Sequence, residues 1–200
     1  INDNYQELGN STYGNITAKN IEEFKTNTVS NGGYYIGRYE AKDRTTNIAR
    51  TATTSDDNQI VCTNSNYIYN FVNQSQAATL SQKMYNSSNF ESDLVNSYAW
   101  DTAIVFIQKC SSNNKYSQQN SLNTGNLATM GTTNDVICNI YDMASNCFEW
   151  TTETSFSIRR PCSSVGGYYG NEYYTTSRRR GNDGNYNFEF QSFRPIIYFK

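Results

Sequence analysis

Hydrophobic positions along this chain are sparse and grouped, and their spacing predicts three helices and several short strands. Ile21 and Phe24 share one face of a segment from Ala18 to about Thr28, with Thr17 as its cap and Glu22 and Glu23 in the first turn. Asn31-Gly32-Gly33 reads as a turn into the alternating run Tyr34 to Ala41, a strand. Residues 42–60, which carry Arg44, Arg50, Asp56 and Asp57, read as a long polar excursion, with a short strand at Gln59 to Thr63. Ser75 predicts the cap of a second helix running to about Tyr85, with Ala77, Ala78, Leu80 and Met84 turned inward. Ser92-Asp93 predicts the start of a third helix reaching Lys109. Its Leu94, Val95, Tyr98, Ala103, Ile104, Phe106 and Ile107 make a wide apolar face. Asn113 to Thr133 is polar and loop-like, and the chain closes on the aromatic, β-forming run Phe193 to Phe199.

Between Gly167 and Phe193 lies a stretch of Tyr, Asn, Arg, Asp, Glu and Gly too polar to be core. Its flanks, Cys138 to Trp150 and Phe193 to Phe199, are core-forming. A polar, aromatic-decorated segment pinned at both ends is how a scaffold presents a binding surface. Composition supports that picture. Only 36% of the 200 residues are hydrophobic, yet 17 are Tyr, 10 Phe and 2 Trp, so a core can be built from few large rings. Trp100 and Trp150 read as its anchors. No linker divides the chain, whose two prolines are Pro161 and Pro195, so residues 1–200 are read as one domain with 166–194 as the ligand-binding segment.

The net charge of −2 gives no basic footprint for nucleic acid. Histidine is absent, which removes Ser-His-Asp triads, Cys-His pairs and His-containing metal sites. The five cysteines (Cys62, Cys110, Cys138, Cys147 and Cys162) are odd in number and contain no C-x-x-C. One or two bridges and buried free thiols both stand as readings. Sequons at Asn10, Asn15, Asn73 and Asn86 are expected by chance in a chain this rich in Asn. No apolar run is long enough to insert in a membrane. The start at Ile1 leaves room for an anchor upstream.

Five segments carry a resemblance. Gly37-Arg38-Tyr39-Glu40-Ala41 and Ser97-Tyr98-Ala99-Trp100-Asp101-Thr102-Ala103 come first. Asn139-Ile140-Tyr141-Asp142-Met143-Ala144-Ser145-Asn146-Cys147-Phe148-Glu149-Trp150 follows, then Val165-Gly166-Gly167-Tyr168 and Ser192-Phe193-Arg194-Pro195. From Tyr34 to the C-terminus the chain resembles the formylglycine-generating-enzyme type of domain, with its N-x-Y-D-M-x-G-N-x-W-E-W, G-G and G-F-R-P segments in the same order. That family's acidic P-T-E-x-E-W segment has no counterpart. The resemblance implies an α+β, C-type-lectin-like fold: two to three helices, a small twisted antiparallel sheet and much non-regular structure. The sulfatase-activating members need a cysteine pair after the G-G turn, where Gly170 to Ser177 has none, and the iron-dependent members need histidines. Both catalytic outfits are missing, so the expectation is a protein that is not an enzyme.

A second branch of that fold, the variable proteins of diversity-generating retroelements, resembles this chain in carrying a mutable ligand-binding segment at the C-terminus. In that branch adenine-directed mutation of AAY codons yields Asn, Tyr, Ser, Asp, Thr, Gly and Arg, the residues that dominate Tyr168 to Gln191. The resemblance implies binding of a protein or glycan on a cell surface, with the domain displayed on a phage particle or bacterial surface. The candidate contact residues are Tyr169, Asn171, Glu172, Tyr173, Arg178, Arg180, Asn182, Asp183, Asn185, Tyr186, Asn187 and Glu189. Tyrosine with short polar groups is the chemistry of an adaptable paratope, and the plainer reading is a solvated loop. Tyr168 and Tyr174 read equally as core rings, and Phe188 and Phe190 as core. One of Arg178, Arg179 and Arg180 is expected to pair inward with a buried carboxylate. By the same resemblance, Asp142, Ser145, Cys147 and Glu149 are candidate ligands of a structural calcium, Ser145 and Cys147 through main-chain oxygens. The simpler alternative has Asp142 capping a turn and Glu149 in a buried ion pair. Two rival functions remain: a divergent enzyme using Cys147 or Cys162, and a purely structural tip of a surface appendage.

Overall fold

The computed structural model describes residues 5–7, 21–43, 60–64, 68–85, 87–155, 162–182 and 184–200. In chain order the elements are β1 (Tyr5–Glu7), α1 (Ile21–Ser30), β2 (Tyr34–Ile36), β3 (Lys42–Asp43), β4 (Ile60–Val61), α2 (Gln74–Met84), β5 (Phe90–Leu94) and α3 (Ser97–Cys110). A 3-10 turn, Tyr116–Gln118, follows. Then come β6 (Val136–Ile137), β7 (Ile140–Tyr141), β8 (Phe148–Trp150), β9 (Glu153–Ser155), β10 (Cys162–Val165), β11 (Arg179–Asn182), β12 (Gln191–Phe193) and β13 (Pro195–Phe199). The class is α+β. The Thr17 cap and the polar excursion with Arg44, Arg50, Asp56 and Asp57 lie outside the described residues.

Two sheets organise the molecule, one in the order β11-β10-β8-β12 and one in the order β2-β13-β5. Pairing is antiparallel throughout the described strands except for β8 with β12, which run parallel. The expected all-antiparallel sheet is corrected there. A long excursion through β9, β10 and β11 separates the two strands, and such a return lets a strand re-enter in the same direction. The last two strands belong to different sheets. Phe193 pairs with Trp150 in one, Pro195 with Leu94 in the other, and Arg194 lies between them.

Two main cores form, each around its own tryptophan. Trp100 packs with Phe24, Ile104, Ile107 and Tyr198 between α1, α3 and β13. Trp150 packs with Tyr69, Leu80, Leu94 and Phe193 under α2. Both indoles are fully buried and both N–H groups are satisfied, Trp100 Nε1 donating to Thr176 O at 2.9 Å and Trp150 Nε1 to Val72 O at 2.8 Å.

Helix α2 is capped two residues before Ser75, by an Asn73–Gln76 capping box. Asn73 Oδ1 accepts from Gln76 N at 2.8 Å, and Gln76 Oε1 accepts from Asn73 N at 2.9 Å. Ala77, Ala78 and Leu80 are buried as expected. The third helix is shorter than its apolar face suggested. Asn96, not Ser92-Asp93, caps it, its side chain accepting from Ala99 N at 2.9 Å. Leu94 belongs to β5, and Phe106 is 49% exposed, lining a groove of about 350 Å³ with Tyr34, Ile36 and Ile140. Among the described residues no helix is long and apolar enough to cross a membrane.

Candidate functional site

The site begins with a backbone problem. Residues 138–146 fold as tight turns in which Cys138, Asn139, Asp142 and Asn146 all have positive φ, between 52° and 68°. Asn and Asp tolerate that left-handed conformation better than other non-glycine residues, which explains the polar N-x-x-D-x-x-x-N spacing of the motif. The turns bring main chain against main chain at Gly166 and Gly167. A Cβ on Gly166, itself at φ +83°, would stand 2.5 Å from Met143 O. One on Gly167 would overlap Ala144 O and stand 2.8 Å from Tyr174 O. Only glycine lets the C-terminal segment leave the scaffold here.

From that point the segment is hung on the scaffold by its main chain. Tyr169 N donates to Asn146 O at 3.0 Å, and Tyr169 O accepts from Gly125 N at 2.7 Å. Tyr174 O accepts from Ser121 N, and Thr176 O from Trp100 Nε1. Further on, Gly184 O accepts from Gln74 N at 3.0 Å and Phe188 O from Phe71 N at 3.1 Å. Glu189 O takes the Asn70 side-chain amide at 2.7 Å, and Phe148 N donates to Phe190 O at 3.0 Å.

Side chains on the segment mostly meet each other, through a ladder of rings that starts on buried Phe148. Tyr168 stacks on Phe148 with centroids 4.5 Å apart, and Phe190 lies 5.3 Å from Tyr168. Phe188 stacks on Phe190 at 4.9 Å, and Tyr186 packs on Phe188 at 5.2 Å. Two cations cover the ladder's sides, Arg178 at 4.8 Å from the Tyr174 centroid and Arg180 at 5.4 Å from that of Phe148. Tyr168, Tyr174 and Phe190 are therefore half-buried supports. Phe188, expected in the core, is 39% exposed and joins the surface.

Most candidate contact residues come to this face. Glu172, Tyr173, Arg178, Asn185, Tyr186, Asn187 and Glu189 are exposed, while Tyr169, Asn171 and Arg180 are half-buried. Asn182 is a correction: it is buried in β11, where its side-chain amide donates to Ser164 Oγ at 3.2 Å. Asp183 lies outside the described residues. A cleft of about 470 Å³ opens between Thr124-Gly125 and the Tyr169–Tyr173 turn. Its wall was missed at the level of sequence, where Asn123-Thr124-Gly125 read only as loop. Burial and the neighbouring Glu189 carboxylate raise the Tyr169 phenol above its ordinary pKa, and the Glu172 carboxylate beside it does the same for Tyr173.

Of the candidate calcium ligands, the side chains of Asp142, Ser145 and Glu149 accept from protein donors. Asp142 accepts from Gly131 N at 2.5 Å and from the Thr133 hydroxyl, and Ser145 Oγ accepts from Leu122 N at 2.8 Å. Cys147 Sγ points to Glu189 O at 3.7 Å. Glu149 pairs with Arg194 at 2.7 Å, both side chains fully buried. Among the described residues no group of three His, Cys, Asp or Glu side chains is placed to hold a metal ion. Asp142 and Glu149 take the roles of the simpler alternative, Asp142 bonded to the neighbouring turn and Glu149 in a buried ion pair. Arg179, by contrast, pairs with Asp101 of α3 at a half-buried position. Arg179 is thus the member of the run that pairs inward, though with a half-buried carboxylate, while the fully buried pair is Arg194 with Glu149.

Three carboxyl groups, Glu40, Asp142 and Glu149, share the one Arg194 guanidinium. Burial works against the Arg194 charge, and Glu149 and then Glu40 more than offset it, so its pKa is raised. Burial raises Glu149 too, opposed by Arg194, and raises Glu40 strongly with the Asp142 and Glu149 charges adding to it. Arg194 Nε and Nη2 bond Glu149 directly and so favour its charged form, while burial and the neighbouring carboxylates disfavour a charge on Glu40. Cys62, Cys110, Cys138 and Cys147 are free thiols. Burial pushes Cys62 up to about 12 and holds Cys147 well above the usual thiol value, the opposite of what a nucleophilic thiolate needs.

Compared with protein-family models, curated proteins and solved structures, the chain gives no match.

Proposed function

We propose that this chain is a non-enzymatic ligand-binding module of C-type-lectin-like fold, the variable protein of a diversity-generating retroelement. It binds a protein or glycan through its Tyr- and Asn-rich C-terminal face, displayed on a phage particle or bacterial surface. One observation carries the reading. The segment from Gly167 to Phe190 is fixed to the scaffold chiefly through main-chain groups, while its exposed side chains meet mainly one another. Main-chain anchoring is indifferent to side-chain identity, so the outward residues can change without loss of the frame. Rigid rings flanked by short polar groups then supply area and adaptable hydrogen bonds. Against the enzyme alternative stands Cys147, buried with its thiol pKa raised.

Sequencing the 3′ end of the gene across its natural population, codons 165–195, tests this. The expected result is substitution confined to adenines in the codons of exposed positions, with Gly166, Gly167, Phe193 and Arg194 invariant. A uniform sequence would remove diversification and leave a domain of fixed specificity.

A further inference from the structure

We propose that the cleft between Thr124-Gly125 and the Tyr169–Tyr173 turn is a subsite for an organic cation, the side chain of a lysine or arginine on a protein partner. The inference rests on the binding role proposed above and names the chemistry of one part of that face. Size comes first: about 470 Å³ is within the ordinary range of ligand clefts and ample for one long side chain. Its walls are two tyrosines, Tyr169 half-buried and Tyr173 76% exposed, whose ring faces attract cations. Among the described residues, the only charged side chain lining it is Glu172. A second carboxylate, Glu189, lies beside the Tyr169 phenol, so the rim is negative at both rings. Neither arginine of the face lines the cleft; Arg178 lies over Tyr174 and Arg180 over Phe148.

Hydrogen bonding points the same way. Four main-chain donors on the two walls are already engaged: Gly125 N by Tyr169 O at 2.7 Å, Tyr169 N by Asn146 O at 3.0 Å, Asn171 N by Tyr168 O at 3.3 Å and Tyr173 N by Asn171 Oδ1 at 2.9 Å. What faces an incoming group is then the Glu172 carboxylate beside the two tyrosine rings. An ammonium or guanidinium, which only donates, satisfies that set; a carboxylate or phosphate does not. The four-carbon stem of lysine would lie along the tyrosine faces with its charge at Glu172.

The test is a nuclear magnetic resonance titration of the full chain with Nα-acetyl-lysine methylamide and Nα-acetyl-arginine methylamide. Nα-acetyl-norleucine methylamide is the uncharged control, and a neutral methyl glycoside the sugar control. Saturable shifts at residues 124–125 and 169–173 are expected with both cations, with binding at least about fivefold weaker for norleucine. Glu172→Gln and Tyr173→Ala should each weaken the cation by about fivefold or more while leaving shifts elsewhere unchanged, as both side chains are exposed. Higher salt should weaken it further. Equal binding of norleucine, no response to any amino-acid probe, or saturation by the glycoside that survives Glu172→Gln would each overturn the cation subsite. Adenine-confined codon variation alongside a silent cleft would sink this inference alone. A uniform gene with a cation-binding cleft would sink diversification and keep the subsite.

Discussion

At the scale of single residues, the buried carboxyl groups set how stability responds to pH. Asp135 accepts from Ala144 N at 2.6 Å and from the Tyr116 hydroxyl at 2.9 Å, yet burial pushes its pKa up to about 6. Its native pKa exceeds the unfolded value, so the native state holds the proton more tightly. The associated stability is present below about pH 4 and is lost as pH rises through about 6, a change on the order of 3 kcal/mol for a group this buried. Burial also raises Glu40, Asp142 and Glu153, and these act in the same direction. The protein is therefore expected to be more stable near pH 4.5 than near pH 7, a trend thermal melts across about pH 4–7 would read. Asp135→Asn keeps an acceptor and lets the Tyr116 hydroxyl reorient, so it should flatten that slope; an unchanged slope would assign it to other groups. Arg194 is the opposite case, a charge whose loss leaves others stranded. Arg194→Met should cost about 3–5 kcal/mol in urea unfolding, because Glu149 and the carbonyls of Gly37 and Tyr141 lose their buried donor. Adding Glu149→Leu should recover part of that loss.

At the scale of elements, the glycine pair makes the sharpest prediction. Gly167→Ala places a methyl group into the carbonyl oxygens of Ala144 and Tyr174, both main chain and unable to swing aside. A loss of about 3 kcal/mol or more is expected in urea unfolding, while a loss below about 1 kcal/mol would mean the two segments can separate freely. Glycines here were readable from sequence as a turn, but the reason, backbone packed on backbone, was not. The same division runs through the helices. The buried face of α3 was legible from Ala103, Ile104 and Ile107, because apolar spacing reports burial directly. Its start was misread because Ser92 and Asp93 are good capping types that here do tertiary work. Ser92 Oγ donates to Ser81 O at 2.7 Å and accepts from Tyr85 N at 2.8 Å, tying β5 to α2. The Asn73–Gln76 box is legible in the sequence, but Ser75 within it is an equally good capping type. Within the site, the outward position of Tyr173 and Tyr186 was legible. The inward turn of Asn182 and the outward placement of Phe188 were not, since strand register and ring stacking are set by partners distant in sequence.

At the scale of the whole molecule, two cores meet where β12 passes into β13, and the Tyr- and Asn-rich C-terminal face is held to the scaffold by main-chain bonds and one buried ring. This division of labour is testable as a contrast between two sets of substitutions. Replacing Glu172, Tyr173, Tyr186 and Asn187 together by Ala removes four exposed side chains, so the summed change in unfolding free energy should stay within about 1–2 kcal/mol. Phe148→Ala removes one ring that is fully buried, carries Tyr168 by stacking, contacts Tyr174 and Phe190, and lies under Arg180. It should cost about 3–5 kcal/mol. It should also speed hydrogen exchange at the Tyr169, Tyr174 and Gln191 amides, whose turns rest on that ladder. If the four surface changes proved as costly as the one buried change, the exposed residues would be part of the frame. They would then not be free to vary, and the case for a replaceable recognition surface would fall with that result.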